Sequence, residues 1–344
     1  MLKYHIITFG CQMNKSDSER IATILENKAY QPASDINEAD LIVVNMCSVR
    51  QSAVDRVFGI SQKLYKLKCQ KPNVKTILTG CILKEDRKRL AEKFDSIVDK
   101  EKYLRFPQKF QNLPIVYIPI SNGCNNACSY CVVPFTRGRL VCRNHRDVTK
   151  EIKDALQKGA KEIWLLGQNV NDYKSNVRCQ SQNVKTVNFA GLLKMVNKIP
   201  GNFKFFFTSP HPKNFSDELI NTLAECEKFG KYLNLPVQSG DNKILKRMNR
   251  NYTVKDYINL VKEIRKKMPE IKLSTDIIVG FPGETEKQFQ NTAKLLKEIK
   301  FNWAYIAKYS PRPGTAVFKL KDDVPWTEKK RREKILREII NENT

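Results

Sequence analysis

No apolar run in this sequence approaches the ~20 residues that a membrane-spanning helix needs. The N-terminus also lacks the apolar core and the cleavage site of a secretory signal peptide, because Met1 leads directly into a strand-like run. These absences predict a cytoplasmic protein. Structural disulfides are rare in that compartment, so the ten cysteines are better explained by metal binding.

Acidic residues are also in short supply. The chain has 36 Asp and Glu against 61 Lys and Arg, which gives a formal net charge of +25. An excess of this size is typical of proteins that bind a polyanion. Nucleic acid is the favoured partner, since no basic amphipathic segment at the N-terminus indicates a membrane surface. Compositional drift toward lysine is the alternative explanation.

Cysteine, in contrast, is concentrated in one short segment. Cys124, Cys128 and Cys131 follow a Cys-x3-Cys-x2-Cys spacing, and the next cysteine is Cys142. Three thiolates of one loop can bind three irons of a cubic iron–sulfur cluster and leave the fourth iron open to substrate. An all-cysteine zinc site is the alternative, although zinc ligands usually come as separated pairs. The spacing, with Tyr130 before the third cysteine, resembles the signature of radical S-adenosylmethionine (SAM) enzymes.

Three further cysteines follow three strand-like runs in the N-terminal third. These runs end at Cys11, Cys47 and Cys81, and helical patterns separate them. Strand–helix alternation predicts a doubly wound parallel α/β sheet, in which the carboxyl ends of the strands share one edge. We therefore expect three thiols at that edge, able to hold a second cluster. Three unrelated buried thiols are the alternative.

Local signals predict several element boundaries. Ser16 and Glu19 form a capping box that places the start of the first helix, and Asp147 is the expected cap of a later one. The polar segment 173–187, which contains Cys179, lacks periodicity and is expected to be a surface loop. The basic final helix, 327–340, either contacts phosphates or forms a solvated face.

From about residue 111, six strand–helix units predict a partial (β/α)6 barrel with its chemistry at the carboxyl ends of the strands. The expected domains are 1–110, 111–325 and a basic helix at 326–344. His211, between two prolines, is expected to be structural. The turns at the predicted rim supply the candidates for binding SAM, and the two glycines among them would permit a close approach to a ribose or adenine. These candidates are Tyr130, Gln168, Ser209, Gln238, Gly280 and Gly283.

Arginines near the cluster loop are the candidates for RNA phosphate contacts. Alternatively, they shape the loop or neutralise the charge of a cluster. The candidates are Arg137, Arg139, Arg143 and Arg146, together with Arg312 at the last rim turn.

Over essentially its full length, the chain resembles the radical-SAM methylthiotransferases. The resemblance rests on the motifs Gly-Cys-Gln-Met-Asn at 10–14, Cys-Val-Val-Pro-Phe-Thr-Arg-Gly at 131–138, Leu-Leu-Gly-Gln-Asn-Val-Asn at 165–171 and Arg-Pro-Gly-Thr at 312–315. It implies two [4Fe-4S] clusters. Cys11, Cys47 and Cys81 would hold an auxiliary cluster, and Cys124, Cys128 and Cys131 would hold the cluster that binds SAM.

The resemblance also implies a reaction. The family attaches a methylthio group to an unactivated carbon–hydrogen bond with two SAM molecules, one as methyl donor to a sulfur on the auxiliary cluster and one as the source of a 5′-deoxyadenosyl radical. The motifs favour the MiaB-type branch, which modifies carbon 2 of N(6)-isopentenyladenosine at tRNA position 37. A threonylcarbamoyladenosine branch and a non-catalytic iron–sulfur RNA-binding protein are the alternatives.

The partners implied by the resemblance are tRNA, an electron donor of flavodoxin or ferredoxin type and a sulfur donor, with the enzyme acting as a monomer. The family normally continues into a small β-barrel RNA-binding (TRAM) domain that this sequence does not contain. Either the core binds tRNA through its own basic surface, or the sequence is a fragment.

Overall fold

The computed structural model describes residues 1–104, 106–111, 113–178 and 184–342. The N-terminal part is a parallel five-stranded sheet in the spatial order β2-β1-β3-β4-β5. Its elements are β1 (Lys3–Thr8), α1 (Gln12–Asn27), β2 (Gln31–Pro32), β3 (Leu41–Cys47), α2 (Gln51–Gln70), β4 (Lys75–Cys81), α3 (Lys84–Leu90) and β5 (Ser96–Ile97).

Helices cover both faces of this sheet. Successive side chains of a strand point to opposite faces, and alternate residues of β3 enter two separate cores. Ile42 and Val44 pack against α2, whereas Leu41 and Val43 pack with residues of α1. Every residue of β3 is buried, as expected for a central strand of a parallel sheet. The predicted doubly wound sheet is confirmed.

Six parallel strands in chain order form the main sheets of the second part: β6, β9 and β12 in one group and β13, β14 and β15 in another. A parallel bridge between Phe205 and Phe229 joins the two groups. The strands of this part are β6 (Ile115–Pro119), β7 (Ser121–Asn122), β8 (Val141–Cys142), β9 (Glu162–Leu166), β10 (Lys174–Arg178), β11 (Val184–Asn188), β12 (Lys204–Phe207), β13 (Tyr232–Asn234), β14 (Lys272–Val279) and β15 (Trp303–Lys308).

The helices of the second part pack their apolar faces on these strands and form the largest core of the protein. They are α4 (Val133–Arg137), α5 (His145–Gln157), α6 (Phe189–Asn197), α7 (Asp217–Glu225), α8 (Asn242–Arg247), α9 (Val254–Lys267), α10 (Glu286–Ile299) and α11 (Trp326–Asn341). The partial (β/α)6 barrel is therefore confirmed, while the domain boundaries near 110 and 325 stay predictions. Among the described helices, none combines the length and apolarity needed to cross a bilayer.

Two predicted helix starts are wrong. Helix α1 begins at Gln12, and Cys11 is its N-cap, with the Asn14 side chain accepting a hydrogen bond from the Cys11 amide at 3.3 Å. Ser16 and Asp147 both lie inside helices. The cap of α5 is Asn144, whose side chain accepts a hydrogen bond from the Arg146 amide at 2.9 Å. Helix α5 therefore begins at the first asparagine after β8, which is a preferred capping residue, whereas α1 begins directly after the turn at Cys11.

The predicted surface loop at 173–187 is also wrong where the structure describes it. Strands β10 and β11 pair as an antiparallel hairpin. Tyr173 is buried and donates a hydrogen bond from its hydroxyl group to the Arg143 carbonyl at 2.7 Å, and Val187 enters the main core. Polar exposed residues between these anchors hide the apolar pattern in the sequence. Cys179 lies outside the described residues.

The basic face of α11 is largely occupied by ion pairs within the chain. Lys329 is buried and pairs with Asp322 at 2.6 Å, and Arg332 is buried and pairs with Glu284 at 2.7 Å. Arg331 pairs with Glu286 on α10. These arginines and this lysine therefore attach α11 to the barrel, which favours a structural role over contact with phosphates.

Candidate functional site

The first cysteine triad lies at the carboxyl edge of the N-terminal sheet. Cys11 follows β1 and caps α1, while Cys47 and Cys81 are the last residues of β3 and β4. Cys47 and Cys81 are direct partners in the parallel register of these strands. The three thiols thus lie at one edge of the sheet, while their binding of a cluster stays a prediction.

Asn14 connects members of this triad. Its side chain is fully buried, and Nδ2 donates to the Asn45 side chain at 3.0 Å and lies 3.9 Å from Cys81 Sγ. Its Oδ1 lies 3.6 Å from Cys11 Sγ and accepts a hydrogen bond from the Cys11 amide. Sequence reasoning missed this role, although Asn14 stands inside the first quoted motif.

The pKa shifts of the three thiols in this triad are those of a site that binds a cation. A hydrogen bond with Cys81 lowers the pKa of Cys47, and the same bond, together with burial, raises the pKa of Cys81 well above its usual value. Burial and the nearby Cys81 raise the pKa of Cys11. Three neighbouring thiols, of which Cys47 and Cys81 are buried, do not ionise together without a compensating positive charge. Iron supplies that charge, so the donor set fits an iron–sulfur cluster.

The second triad lies in a loop at the top of the barrel. Gly123 begins the loop with φ of 78°, where a Cβ atom would overlap the carbonyl oxygen of Arg139. The Gly123 amide donates to the Gln168 side chain at 2.6 Å, and the Cys124 amide donates to the Gly138 carbonyl at 3.2 Å. The loop is thereby attached to the turn after β9 and to its own continuation.

The far end of this loop is attached to α8. The Ser129 amide donates to the Met248 carbonyl at 3.0 Å, and the Cys131 amide donates to the Cys128 carbonyl at 3.0 Å. Burial, together with the neighbouring charges of Cys128 and Cys124, raises the pKa of Cys131 to about 12. The three thiols are half-buried and belong to one short loop whose two ends are fixed, so this donor set also fits a cluster with three thiolate ligands.

Arg250 lies beside the second triad. It is buried, with Nη1 3.7 Å from Cys128 Sγ, Nη2 donating to the Pro236 carbonyl at 2.9 Å and Nε donating to the Tyr252 hydroxyl at 2.9 Å. A fixed positive charge beside cluster thiolates offsets their negative charge. No motif in the sequence indicated this residue, because it comes from the turn after α8.

The zinc alternative requires Cys142, which lies on β8 and accepts a hydrogen bond from the Lys174 amide at 3.3 Å. Within the described ranges, no group of three His, Cys, Asp or Glu side chains is arranged to hold a single metal ion. Ligands of a cubane each bind a different iron and therefore need not converge on one point.

The predicted SAM-binding residues lie at the rim, and contact with SAM stays a prediction. The Tyr130 side chain packs against a buried apolar cluster that contains Phe281 and Tyr309. Gln168 holds Gly123, as described above. Ser209 and Gln238 follow β12 and β13, both with positive φ, of 57° and 72°.

Gly280 and Gly283 contact parts of the chain itself. The Gly280 amide donates to Glu284 Oε2 at 2.7 Å, and a Cβ atom there would overlap the Lys329 side chain. The Gly283 amide donates to Asp323 Oδ1 at 2.6 Å, and its Cβ would overlap the Arg247 guanidinium. Positive φ and close packing thus explain both glycines without a ribose or adenine, whose contact here stays a prediction.

Two of the five arginines predicted to contact RNA are buried between the two parts of the protein. Arg137 is 5% exposed and donates to Cys81 Sγ at 2.9 Å and to Asp17 Oδ2 at 2.7 Å. Arg312 is 4% exposed and donates to the Ser48 carbonyl and to Asp86 at 3.3 Å. Both side chains join the barrel rim to the N-terminal sheet and do not face solvent, so the alternative of a structural or charge-balancing role holds for them.

The other three arginines follow the cluster loop. Arg143 is half-buried and pairs with Glu151 at 2.6 Å, and it donates to the Pro119 carbonyl at 2.7 Å. Arg139 and Arg146 are exposed. The surface available to RNA beside the loop therefore includes Arg139 and Arg146, whereas Arg143 is partly engaged.

Comparisons with known proteins agree with this geometry. The radical SAM superfamily matches residues 118–296, and an uncharacterized protein family, UPF0004, matches residues 3–99. The tRNA-2-methylthio-N(6)-dimethylallyladenosine synthase of Clostridium novyi is 40% identical over 99% of this chain and 81% of the relative. The enzyme of the same name from Acetivibrio thermocellus is 39% identical over 98% of this chain and 76% of the relative.

Solved structures show the same fold at low sequence identity. The radical SAM methyltransferase TsrM from Kitasatospora setae, with tryptophan and a SAM analogue bound, superimposes with a TM-score of 0.64 at 14% identity, over 92% of this chain and 75% of that one. The cobalamin-dependent SAM radical enzyme OxsB gives a TM-score of 0.61 at 12% identity, over 99% of this chain and 56% of the OxsB chain.

Proposed function

Because the chain belongs to the radical SAM superfamily, and within it to the family of tRNA-2-methylthio-N(6)-dimethylallyladenosine synthases, we propose that it methylthiolates tRNA. The target is carbon 2 of N(6)-isopentenyladenosine at position 37, next to the anticodon. An adenine carbon offers no usable acid, so proton-transfer catalysis has little to act on. The relatives that match over nearly the whole chain carry the isopentenyl (dimethylallyl) substrate in their names, which does not favour the threonylcarbamoyl alternative.

One observation carries the proposal: the chain gathers six cysteines into two separate triads, and Arg137 extends from the loop of one triad to a cysteine of the other. Cys11, Cys47 and Cys81 would hold the auxiliary cluster, and Cys124, Cys128 and Cys131 the cluster beside SAM. When bound, SAM and the two [4Fe-4S] clusters supply the radical that removes hydrogen and the sulfur that replaces it.

The protein's own residues prepare these sites. Asn14 orients Cys11 and Cys81, and Gln168 holds the start of the cluster loop. Arg137 and Arg250 place one guanidinium beside each triad, which stabilises thiolate ligands in a buried environment. All six thiols must lose their protons when iron binds, so assembly of the clusters is favoured at higher pH.

The substrate nucleotide must leave its stack to reach the site. Arg139 and Arg146 are exposed beside the cluster loop, and the Phe135 ring of α4 is 58% exposed. Basic side chains that contact phosphates, together with an aromatic ring on which a base can stack, are typical of surfaces that bind single-stranded RNA. We further propose a cytoplasmic monomer that uses an external electron donor of flavodoxin or ferredoxin type and a separate sulfur donor.

The test is anaerobic reconstitution followed by reaction with tRNA. About eight irons per chain are expected for two cubanes. After incubation with SAM, a reductant and isopentenyl-modified tRNA, mass spectrometry of the nucleosides should detect 2-methylthio-N(6)-isopentenyladenosine. A product found only on threonylcarbamoyladenosine would assign the enzyme to the sister branch. Modification of a protein in place of tRNA would overturn the proposal.

A further inference from the structure

Arg137 lies between the two cysteine triads. It is the last residue of α4, just after the SAM-cluster loop, yet its side chain reaches the edge of the N-terminal sheet. Nε donates to Cys81 Sγ at 2.9 Å, Nη2 to Asp17 Oδ2 at 2.7 Å and Nη1 to Asn122 Oδ1 at 3.0 Å. All three guanidinium nitrogens are therefore engaged in a buried setting.

Once iron is bound, Arg137 lies between two anions, the Asp17 carboxylate and the Cys81 thiolate. A guanidinium stays protonated in proteins. Asp17 is fully buried and neutralises the guanidinium, but Cys81 becomes a second anion once it ligates iron. A buried ion pair is often neutral or unfavourable for stability, so the pair alone does not explain the arrangement.

We propose that Arg137 is a positioning residue that sets the reduction potential of the auxiliary cluster. The inference rests on the proposed function, because it takes Cys81 as a cluster ligand. A reduced cluster carries one more negative charge than an oxidised one. A hydrogen bond to a ligating sulfur and a nearby positive charge both stabilise that state and raise the potential.

Asp17 and Asn122 determine which nitrogen faces the sulfur. They hold the two terminal nitrogens, and Nε is thereby directed at Cys81. Lysine offers the charge without this planar arrangement of donors and cannot engage all three partners in the same geometry. Arg137→Lys therefore keeps the positive charge but removes the oriented hydrogen bond, so that the two contributions can be measured separately.

The test is an anaerobic potentiometric titration followed by electron paramagnetic resonance. The background is the Cys124→Ala, Cys128→Ala, Cys131→Ala chain, so that the signal comes from the auxiliary cluster alone. Arg137→Gln should shift its midpoint potential to a more negative value, and Arg137→Lys should give a smaller shift of the same sign. Asp17→Asn should shift it in the positive direction. The control is Arg87→Gln, which removes an exposed arginine of the N-terminal part that pairs with Asp99, and it should leave the potential unchanged.

Unchanged potential in Arg137→Gln, with four irons retained per chain, would overturn the inference. If the Arg137→Gln chain does not assemble the cluster, the Arg137→Lys chain is measured in its place. A midpoint potential of Arg137→Lys equal to that of the parent chain would then overturn the inference. Failure of the proposed function has a different result: no methylthiolated tRNA from the unmodified chain, whatever the potentials are.

Discussion

At the scale of single residues, Gly123 limits what the cluster loop tolerates. Its φ of 78° lies in the left-handed region, and the Arg139 carbonyl occupies the place of a Cβ atom. Its amide also donates to Gln168. A side chain at this position would push the loop away from the barrel rim and displace the cysteine that follows.

We therefore expect Gly123→Ala to disrupt the SAM cluster selectively. The left-handed conformation alone costs about 1–2 kcal/mol for an L residue, and the overlap adds to it. Iron should fall from about eight to about four per chain, with reductive SAM cleavage lost. The matched control is Gly59→Ala on α2, where no atom lies near the added Cβ. It should keep all iron and gain up to about 1 kcal/mol in stability. Full iron content and SAM cleavage in Gly123→Ala would contradict this explanation.

His211 has a structural role, as its sequence position between two prolines predicts. Its Nδ1 accepts a hydrogen bond from the Lys213 amide at 3.2 Å, and its ring lies edge-on to Tyr252 at 5.9 Å between centroids. Burial lowers the pKa of His211 to about 3, and the charges of Arg250 and Lys213 contribute in the same direction. The neutral ring is therefore the form that the fold requires.

This lowered pKa makes folding stability depend on pH. Between pH 6.5 and 3 the unfolded chain binds a proton on His211 that the folded chain does not bind, so stability falls as pH falls. From pH 7.5 to 5.5 the loss is about 1.4 kcal/mol. In His211→Asn, which keeps an acceptor but does not titrate, that part of the loss should disappear. Urea unfolding of both chains at the two pH values measures it. An equal loss in the variant would show that His211 is not its source.

At the scale of elements, sequence reasoning succeeded where a signal is local. The cysteines at the carboxyl ends of β1, β3 and β4 could be placed because strand ends and turns are visible in the pattern, and parallel strands bring these ends to one edge. Sequence reasoning failed where the hydrogen-bond partner of a residue is distant in the chain. Arg137 was assigned to RNA because nothing near it indicates Cys81, and the same holds for Arg312 and Ser48.

The two triads belong to different elements, so their functions should separate. Replacing Cys124, Cys128 and Cys131 by Ala should halve the iron and abolish release of 5′-deoxyadenosine under dithionite. Replacing Cys11, Cys47 and Cys81 by Ala should also halve the iron, but SAM cleavage should persist without methylthiolated product. Iron analysis, chromatography of the SAM products and nucleoside mass spectrometry measure these outcomes.

A matched control for both triple variants is Cys69→Ala, which removes an exposed thiol from α2. It should keep iron, SAM cleavage and product. If 5′-deoxyadenosine persists after loss of the loop triad, that triad is not the SAM site. If product survives loss of the sheet-edge triad, sulfur does not come through an auxiliary cluster held there.

At the scale of the whole molecule, the net charge of +25 does not locate a binding surface. Many cations lie in ion pairs with neighbouring acids, as Lys231 does with Glu270 and Arg337 with Glu333. Others face inward, as Arg137 and Arg332 do. A polyanion gains most from exposed cations without such neighbours, and Arg139 and Arg146 are exposed and follow the cluster loop in the chain.

Binding of tRNA should therefore weaken steeply with salt, and part of that dependence should come from these two residues. Each phosphate contact contributes about 0.7 to 0.9 to the magnitude of the log–log slope. Arg139→Gln with Arg146→Gln should thus lower that magnitude by about 1.5, while SAM cleavage without tRNA persists. Fluorescence anisotropy with labelled tRNA across a salt series measures the slope. Lys231→Gln with Arg337→Gln removes the same formal charge from ion-paired positions and should leave the slope unchanged, because those cations already have acidic partners. An equal change in both double variants would mean that tRNA responds to total charge, and the surface beside the cluster loop would then not be its binding site.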